Sequence, residues 1–349
     1  MSSLTIALDS LGGLVLAGVV AHGAWQARKA GPRRAADSVP ITPLMEPFEP
    51  VMDAAATAQI AELPPPSLEP RAAKRSSVRL DALIDAIAPL TIEAPISGEQ
   101  VLMHWPATRR AGSKPFMIEG LDAETGEWEA PAPGRRYGEF QAGVQLANRT
   151  GALNEIEYSE FVQKVQVFAE AIGAMADFPD MLDVVARARE LDAFAGDHDA
   201  QLAVHLHARS AAWSVGYIQQ HAGRHGFVAG VVPGRLVLPS AEEGAPPVLT
   251  LTFDSQAAFA DDPNRAAVRD VTLSFDVPQT DPTADPFVAW QASAQALSLG
   301  MDAAIVDDHG RPLSPEGFAA IGGELGQLYE TLEARDLAAG SAAARRLFS

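Results

Sequence analysis

Near the C-terminal end of the chain, Asp307, Asp308 and His309 stand side by side after the apolar pair Ile305-Val306. Carboxylates and imidazoles bind metal ions and move protons. A metal site needs ligands that converge with coordination geometry, and adjacent residues of an extended chain point to opposite faces. Asp307 and Asp308 therefore do not naturally chelate one ion. The stretch IVDDHGRPLSPEGF also carries the signals of a strand that turns into a helix. Asp accepts backbone N–H bonds in turns and Gly310 tolerates positive φ. Ser314 is a helix N-cap, Pro315 fits the first helical position, and Glu316 favours the N-terminal dipole. A turn is expected here, not a catalytic centre.

His205 and His207, in LAVHLHA, alternate onto one sheet face, close enough for a shared ion. Two histidines without a third ligand are weak evidence for zinc, and antiparallel sheets often wet one side. A solvated face is the expectation. The sequence holds no cysteine, which excludes disulfides, thiolate zinc sites, iron–sulfur clusters and a cysteine nucleophile. No Walker loop, nucleophile elbow, HExxH or dinucleotide fingerprint is present. The acid runs Asp197–Asp199 and Asp261–Asp262 look like loops. No catalytic residue, metal ligand or cofactor is assigned.

The 349 residues are 47% hydrophobic and 20% charged, enough to bury a core in about two domains. The formal net charge of -19 argues against a nucleic-acid partner, which needs a basic face to displace counterions.

Leu4 to Trp25 is apolar except for Asp9 and His22 near its ends. As a helix rising about 1.5 Å per residue, it just spans a hydrocarbon core of about 30 Å. A secretory signal would carry basic residues before the run and a small-residue cleavage site after it. Here Arg28, Lys29, Arg33 and Arg34 follow it and no Lys or Arg precedes it. The expectation is an uncleaved single-pass anchor, residues 1–27, in a bacterial inner membrane. Its N-terminus lies outside and the bulk of the chain is cytoplasmic. Residues 28–77 read as a basic flank and a Pro/Ala-rich acidic linker. Its prolines favour extended and coil states that hold a globular unit off the membrane.

Two later stretches repeat one pattern of alternating strand, polar turn, Ala-rich helix and short apolar tail ending in Asp. In the strands, Phe140, Ala142, Val144 and Leu146 correspond to Val271, Leu273, Phe275 and Val277. In the helices, Phe161, Val165, Phe168 and Ile172 correspond to Phe287, Trp290, Ala294 and Leu297. The segments before them also match, IAPLTIEA with LAVHLHA and SGEQVLMHW with WSVGYIQQHAGRHG. The reading is α+β: two tandem related domains, 78–197 and 198–336, each a mostly antiparallel sheet with helices on one face. Residues 337–349 form a tail without an assigned task.

Five segments of the second copy, in order, carry a resemblance: YIQQHAGRHGFVAG, PPVLTLTFDSQAAF, DVTLSFDVP, the helix Phe287 to Leu299, and GMDAAIVDDHGRPLSP. Over about Gln201 to Ala334 the chain resembles the C-terminal domain of the ZipA family of membrane-anchored bacterial division proteins. Anchor and Pro-rich linker repeat that family's layout. The first copy resembles it more distantly, and the family itself would lack it. The resemblance implies a binding module rather than an enzyme: an apolar groove on the open sheet face receives the C-terminal tail of FtsZ. It would tether FtsZ polymers to the inner membrane during septation. The first copy would brace the second, cover an edge, or bind another partner.

This sequence departs from the family at that groove. Ala203, His205 and His207, with Thr272, Ser274 and Asp276, face outward where the family keeps more apolar and aromatic groups. A polar floor forfeits much of the gain of about 25 cal/mol per Å² of apolar burial. Leu249, Leu251 and Phe253, with Leu236 and Leu238, could offer an apolar strip. A one-residue slip inverts every side chain, so the strands' orientation stays open. The alternatives are a membrane-tethered scaffold for a partner other than FtsZ, and a metal-dependent enzyme using His205 and His207.

Overall fold

Apolar residues at every second position make strands with one greasy face, and two such sheets dominate the fold. The structure is a computed structural model; it describes residues 79–259, 262 and 266–349. The expected anchor and linker lie outside the described residues. Among the described residues, no helix is long and apolar enough to cross a membrane. The chain is α+β, and every strand pairing among the described residues is antiparallel.

The first half opens with β1 (Asp85–Ser97), the short helix α1 (Gly98–Met103) and strands β2 (Arg110–Ala111), β3 (Lys114–Asp122), β4 (Trp128–Glu129) and β5 (Arg136–Gln145). A small hairpin follows, β6 (Ala147–Asn148) and β7 (Gly151–Ala152), then α2 (Glu155–Ile172), β8 (Ala174–Ala176) and α3 (Met181–His198). The sheet order is β2-β3-β5-β1-β8, with β4 beside β3. Phe140, Ala142 and Val144 share the buried face with Ala86 and Leu90, under the α2 stripe of Phe161, Val165, Phe168 and Ile172. Asn154 and Glu157 form a capping box at the start of α2, and Gly173 at φ 70° ends it. On the outer face, a Cβ at Gly143 would meet Leu80 at 2.4 Å, so that glycine admits the leucine that lies across the sheet.

The second half runs β9 (Gln201–Ala208), α4 (Val215–Gly223), β10 (Val228–Ala229), β11 (Arg235–Leu238) and β12 (Leu249–Thr252). It continues with α5 (Ser255–Ala258), β13 (Asp270–Asp276), α6 (Pro286–Met301), β14 (Ala303–Val306) and α7 (Pro315–Glu333), and α8 (Ala342–Leu347) ends the chain. Its order is β10-β11-β12-β13-β9-β14. In each half the first strand sits between the longest later strand and the short strand that follows the central helix. The element sequence matches too: strand, short helix, hairpin, strand, long helix, edge strand, long helix.

The halves share material. Phe318 and Leu325 of α7 belong to the second core and Leu332 to the first, while Leu328 and Tyr329 touch both. Beyond α7 the chain returns across the first half. Leu337, Ala344, Leu347 and Phe348 are buried in the first core. Arg346 pairs with the buried Asp85 at 2.5 and 2.8 Å, and its carbonyl accepts from Gln145. The tail is thus a strap that completes the first core rather than an appendage. Burying a charge without a partner is costly, so Arg346→Met should destabilise the chain by about 3 kcal/mol. Phe348→Ala should cost a similar ~3 kcal/mol through the cavity it leaves. Denaturant midpoints check both; unchanged midpoints would mean that the strap is not docked in solution.

Candidate functional site

The second sheet has two unlike faces. Val204, Leu206, Leu249, Leu251, Val271, Leu273 and Phe275 are buried beneath α4, α6 and α7, where Trp213 and Trp290 fill the centre. Both indoles find acceptors there, the carbonyls of Met301 at 2.8 Å and Leu273 at 3.0 Å. The register assigns the expected apolar strip to this face. Leu251 lies opposite Leu273 on one side and Leu236 on the other, and Leu238 lies opposite Leu249. Leu249 and Leu251 are 0% exposed and Leu236 is 4% exposed, and Leu238 and Phe253 pack against the same core. Leu236, Leu249 and Leu251 are therefore core, and the half-buried Leu238 and Phe253 pack against it on the same side, so the five do not form a docking strip on the outer face. In LTLT the threonines take the outside because their hydroxyls would go unpaired under the helices.

The remaining expected residues do share the outer face. Thr272 lies opposite His205 and Thr252, and Ser274 lies opposite Ala203 and Thr250. His207 lies one pair further along, opposite Asp270. Each imidazole has its own carboxylate. His205 contacts the Asp308 carboxylate at 2.8 Å and the Thr272 hydroxyl at 3.0 Å, whereas His207 contacts Asp270 at 2.5 Å. Among the described residues, no group of three or more His, Asp or Glu side chains is placed to hold a metal ion.

Asp307, Asp308 and His309 go separate ways. Asp307 accepts from the backbone N–H groups of His309 and Arg311 at 2.9 and 2.8 Å and from the Arg311 guanidinium. These bonds, that from the Arg311 backbone first, hold its pKa down at about 2. Gly310 closes the turn at φ 74°, and Ser314 caps α7 through the Gly317 N–H. Asp308 alone reaches the sheet face.

Further residues line the same face. Two adjoining cavities, about 470 and 340 Å³, cross it, and Arg235 and Pro247 line both. Arg149, from the first half, stands at the far end, bridging Asp199 at 2.5 and 2.8 Å and Asp276 at 2.7 Å. The hydrogen bond to Asp199, then that to Asp276, keeps the Arg149 guanidinium above its usual pKa despite desolvation. The alternation in RLVL, once Leu236 is assigned inward, turns Arg235 and Val237 outward, so a signal for these two does exist in the sequence.

One other cluster holds catalytic residue types. Lys114 is buried and donates to Ser113, Asn148 and Thr150, while Ser113 donates to Glu157 at 2.7 Å. Burial lowers the Lys114 pKa. Burial pushes the Glu157 carboxyl up, but hydrogen bonds from Ser113 and Asn154 outweigh it and leave the pKa lowered. The backbone N–H groups of Gly112 and Ser113, the natural donors to a reacting oxyanion, are already taken by Glu160 and Glu157. The cluster ties the β2–β3 turn to the start of α2.

No family model matches the chain, and no curated protein matches it. One similar solved structure, "Structure of FgChi7B", is 12% identical, with a TM-score of 0.20. The alignment covers 74% of this chain and spans 56% of that one. A likeness of that size carries no argument about fold or activity.

The facing of the strands is open to test. Leu251→Lys should unfold the chain or cost more than about 3 kcal/mol, whereas Thr252→Lys should stay within about 0.5 kcal/mol of the parent. The opposite order would mean that the register is inverted. Because the folded Asp307 pKa is depressed, its contribution to stability is present above the ordinary carboxyl pKa and fades as pH falls through about 2. A carboxyl NMR titration should find Asp307 near that value, and Arg311→Ala should return it toward the usual range.

Proposed function

We propose that the chain is a membrane-anchored division adaptor that tethers FtsZ polymers to the inner membrane by receiving the FtsZ C-terminal tail on a sheet face. The observation that carries this reading is the outer face of the second sheet, which lies opposite the side packed by α4, α6 and α7. Antiparallel sheets usually pack one face and leave the other to solvent, and an open face with a trough across it suits an extended segment. The first half is read as a degenerate copy of the same domain; the shared strand order supports a tandem duplication. The apolar run Leu4 to Trp25 with its trailing basic residues supports a single-pass anchor with the bulk in the cytoplasm, and the Pro-rich stretch supports a spacer. The reading requires no catalysis and no cofactor.

The polarity of the floor favours a second reading on the same scaffold, a partner other than FtsZ. Thr250, Thr252, Thr272 and His207 reward a ligand that brings hydrogen bonds rather than a greasy segment. Titration of the full chain in nanodiscs with the FtsZ C-terminal peptide separates the two. Saturable binding in the micromolar-to-millimolar range, weakened at least about tenfold by Ala203→Arg in a variant with an unchanged circular dichroism spectrum, is the expected result. Absence of binding to the parent chain would remove FtsZ as the ligand and leave the second reading.

A further inference from the structure

The two cavities on the outer face differ in character. Val231, Val232, Val237 and Pro239 line the larger one, and Thr250, Ser274, Gln201 and Gln279 the smaller. Val228 lies opposite Val237, and Val228, Val231 and Val232 are all exposed. Exposed aliphatic side chains clustered beside a trough mark a contact surface rather than a stray apolar residue.

Charge decides what the surface accepts. Arg149 is already held by two aspartates, and Glu242 on the rim is paired with Arg345 at 2.9 Å. Glu243 also lines the larger cavity. Arg235, which lines both cavities, contacts the Thr250 hydroxyl at 3.2 Å, and among the described residues no ion pair engages it. A guanidinium presents several donors in a planar fork that matches a carboxylate. Arg235 and Val237 are two residues apart on one strand, so they share a face.

We infer that this trough takes the C-terminal end of an extended peptide. The terminal carboxylate sits on Arg235, and the last, apolar side chain sits among Val231, Val232 and Val237. The preceding backbone runs along the hydroxyl and amide floor of Thr250, Ser274 and Gln201. A terminal residue carries its carboxylate and its side chain on one Cα, which matches the adjacency of Arg235 and Val237. It brings one negative charge. Glu243 and the net charge of -19 disfavour a phosphate dianion or a run of acids. The inference rests on the reading that the second sheet's outer face receives a peptide, and it adds the anchor and the end of the peptide that it recognises.

The probes are N-acetylated Ala-Ala-Leu with a free carboxylate and its C-terminal amide, titrated against the full chain in nanodiscs and read by the methyl signals of Val231 and Val237. The free acid should give saturable shifts. The amide should bind at least about tenfold more weakly, the size of effect expected for losing a charge-assisted hydrogen bond. Arg235→Gln should reduce the acid to the level of the amide, and Arg235→Lys should restore part of the difference. Equal binding of acid and amide, indifference to Arg235→Gln, or no shift from either peptide would overturn the inference. The FtsZ C-terminal peptide, run as acid and as amide, separates this from the adaptor reading. If the tripeptide acid binds and the FtsZ peptide does not, the anchor stands and FtsZ falls. If the FtsZ peptide binds equally in both forms, the adaptor stands and the carboxylate anchor falls.

Discussion

The sharing of α7 between two hydrophobic cores is the constraint from which the rest of the molecule follows. Phe318 and Leu325 at one end and Leu332 at the other cannot be buried at once unless the two sheets hold a fixed relation. The strap after α7 tightens that relation, since Leu347 and Phe348 complete a core begun more than two hundred residues earlier and Arg346 neutralises Asp85. Interior packing is close and deforms little, so a helix common to both cores transmits position rather than slack. One consequence is local and chemical. Arg149 reaches across from the β6–β7 hairpin to Asp276 of β13 and closes one end of the trough on the second sheet. The first half therefore shapes the surface of the second, while on its own outer face Leu80 lies over Gly143.

On the proposed reading, the polarity of the outer face sets the strength of binding. One apolar side chain fully buried gains about 1.5–3 kcal/mol, and a hydrogen bond to a charged group contributes about 1.5–3 kcal/mol. Association itself costs free energy, so a single site of this kind binds weakly. Weak sites suit a polymer, which offers its tails in rows to many anchored copies and raises the effective concentration of the next contact. A groove floored with leucines would hold one tail more tightly. Here the leucines serve the core.

Much of the fold is legible in the residues. The alternations in FQAGVQL and VTLSFDV, the helical stripes of Phe161 and Trp290, and the Ser314-Pro315 start of α7 each carry a single periodicity, and the structure follows them. The facing of β11 and β12 is legible in part. LTLT beneath helices admits one arrangement, with threonine outward, yet the expectation of an apolar groove draws the same leucines to the surface. Arg149 is not legible at all. Its role depends on a contact with Asp276 far along the chain, which no local spacing encodes. The strap is hidden for the same reason: Ala-rich helix-forming residues tell of a helix, and nothing in AAGSAAARRLFS names the core it enters.

Recruitment of polymers to a bilayer tests the central claim most directly. The full chain is reconstituted in vesicles and mixed with FtsZ and GTP, and the vesicles are floated on a density gradient. An adaptor should carry FtsZ upward with the vesicles, while FtsZ lacking its C-terminal peptide stays at the bottom. Flotation that survives loss of that peptide, or none with the intact polymer, would contradict it.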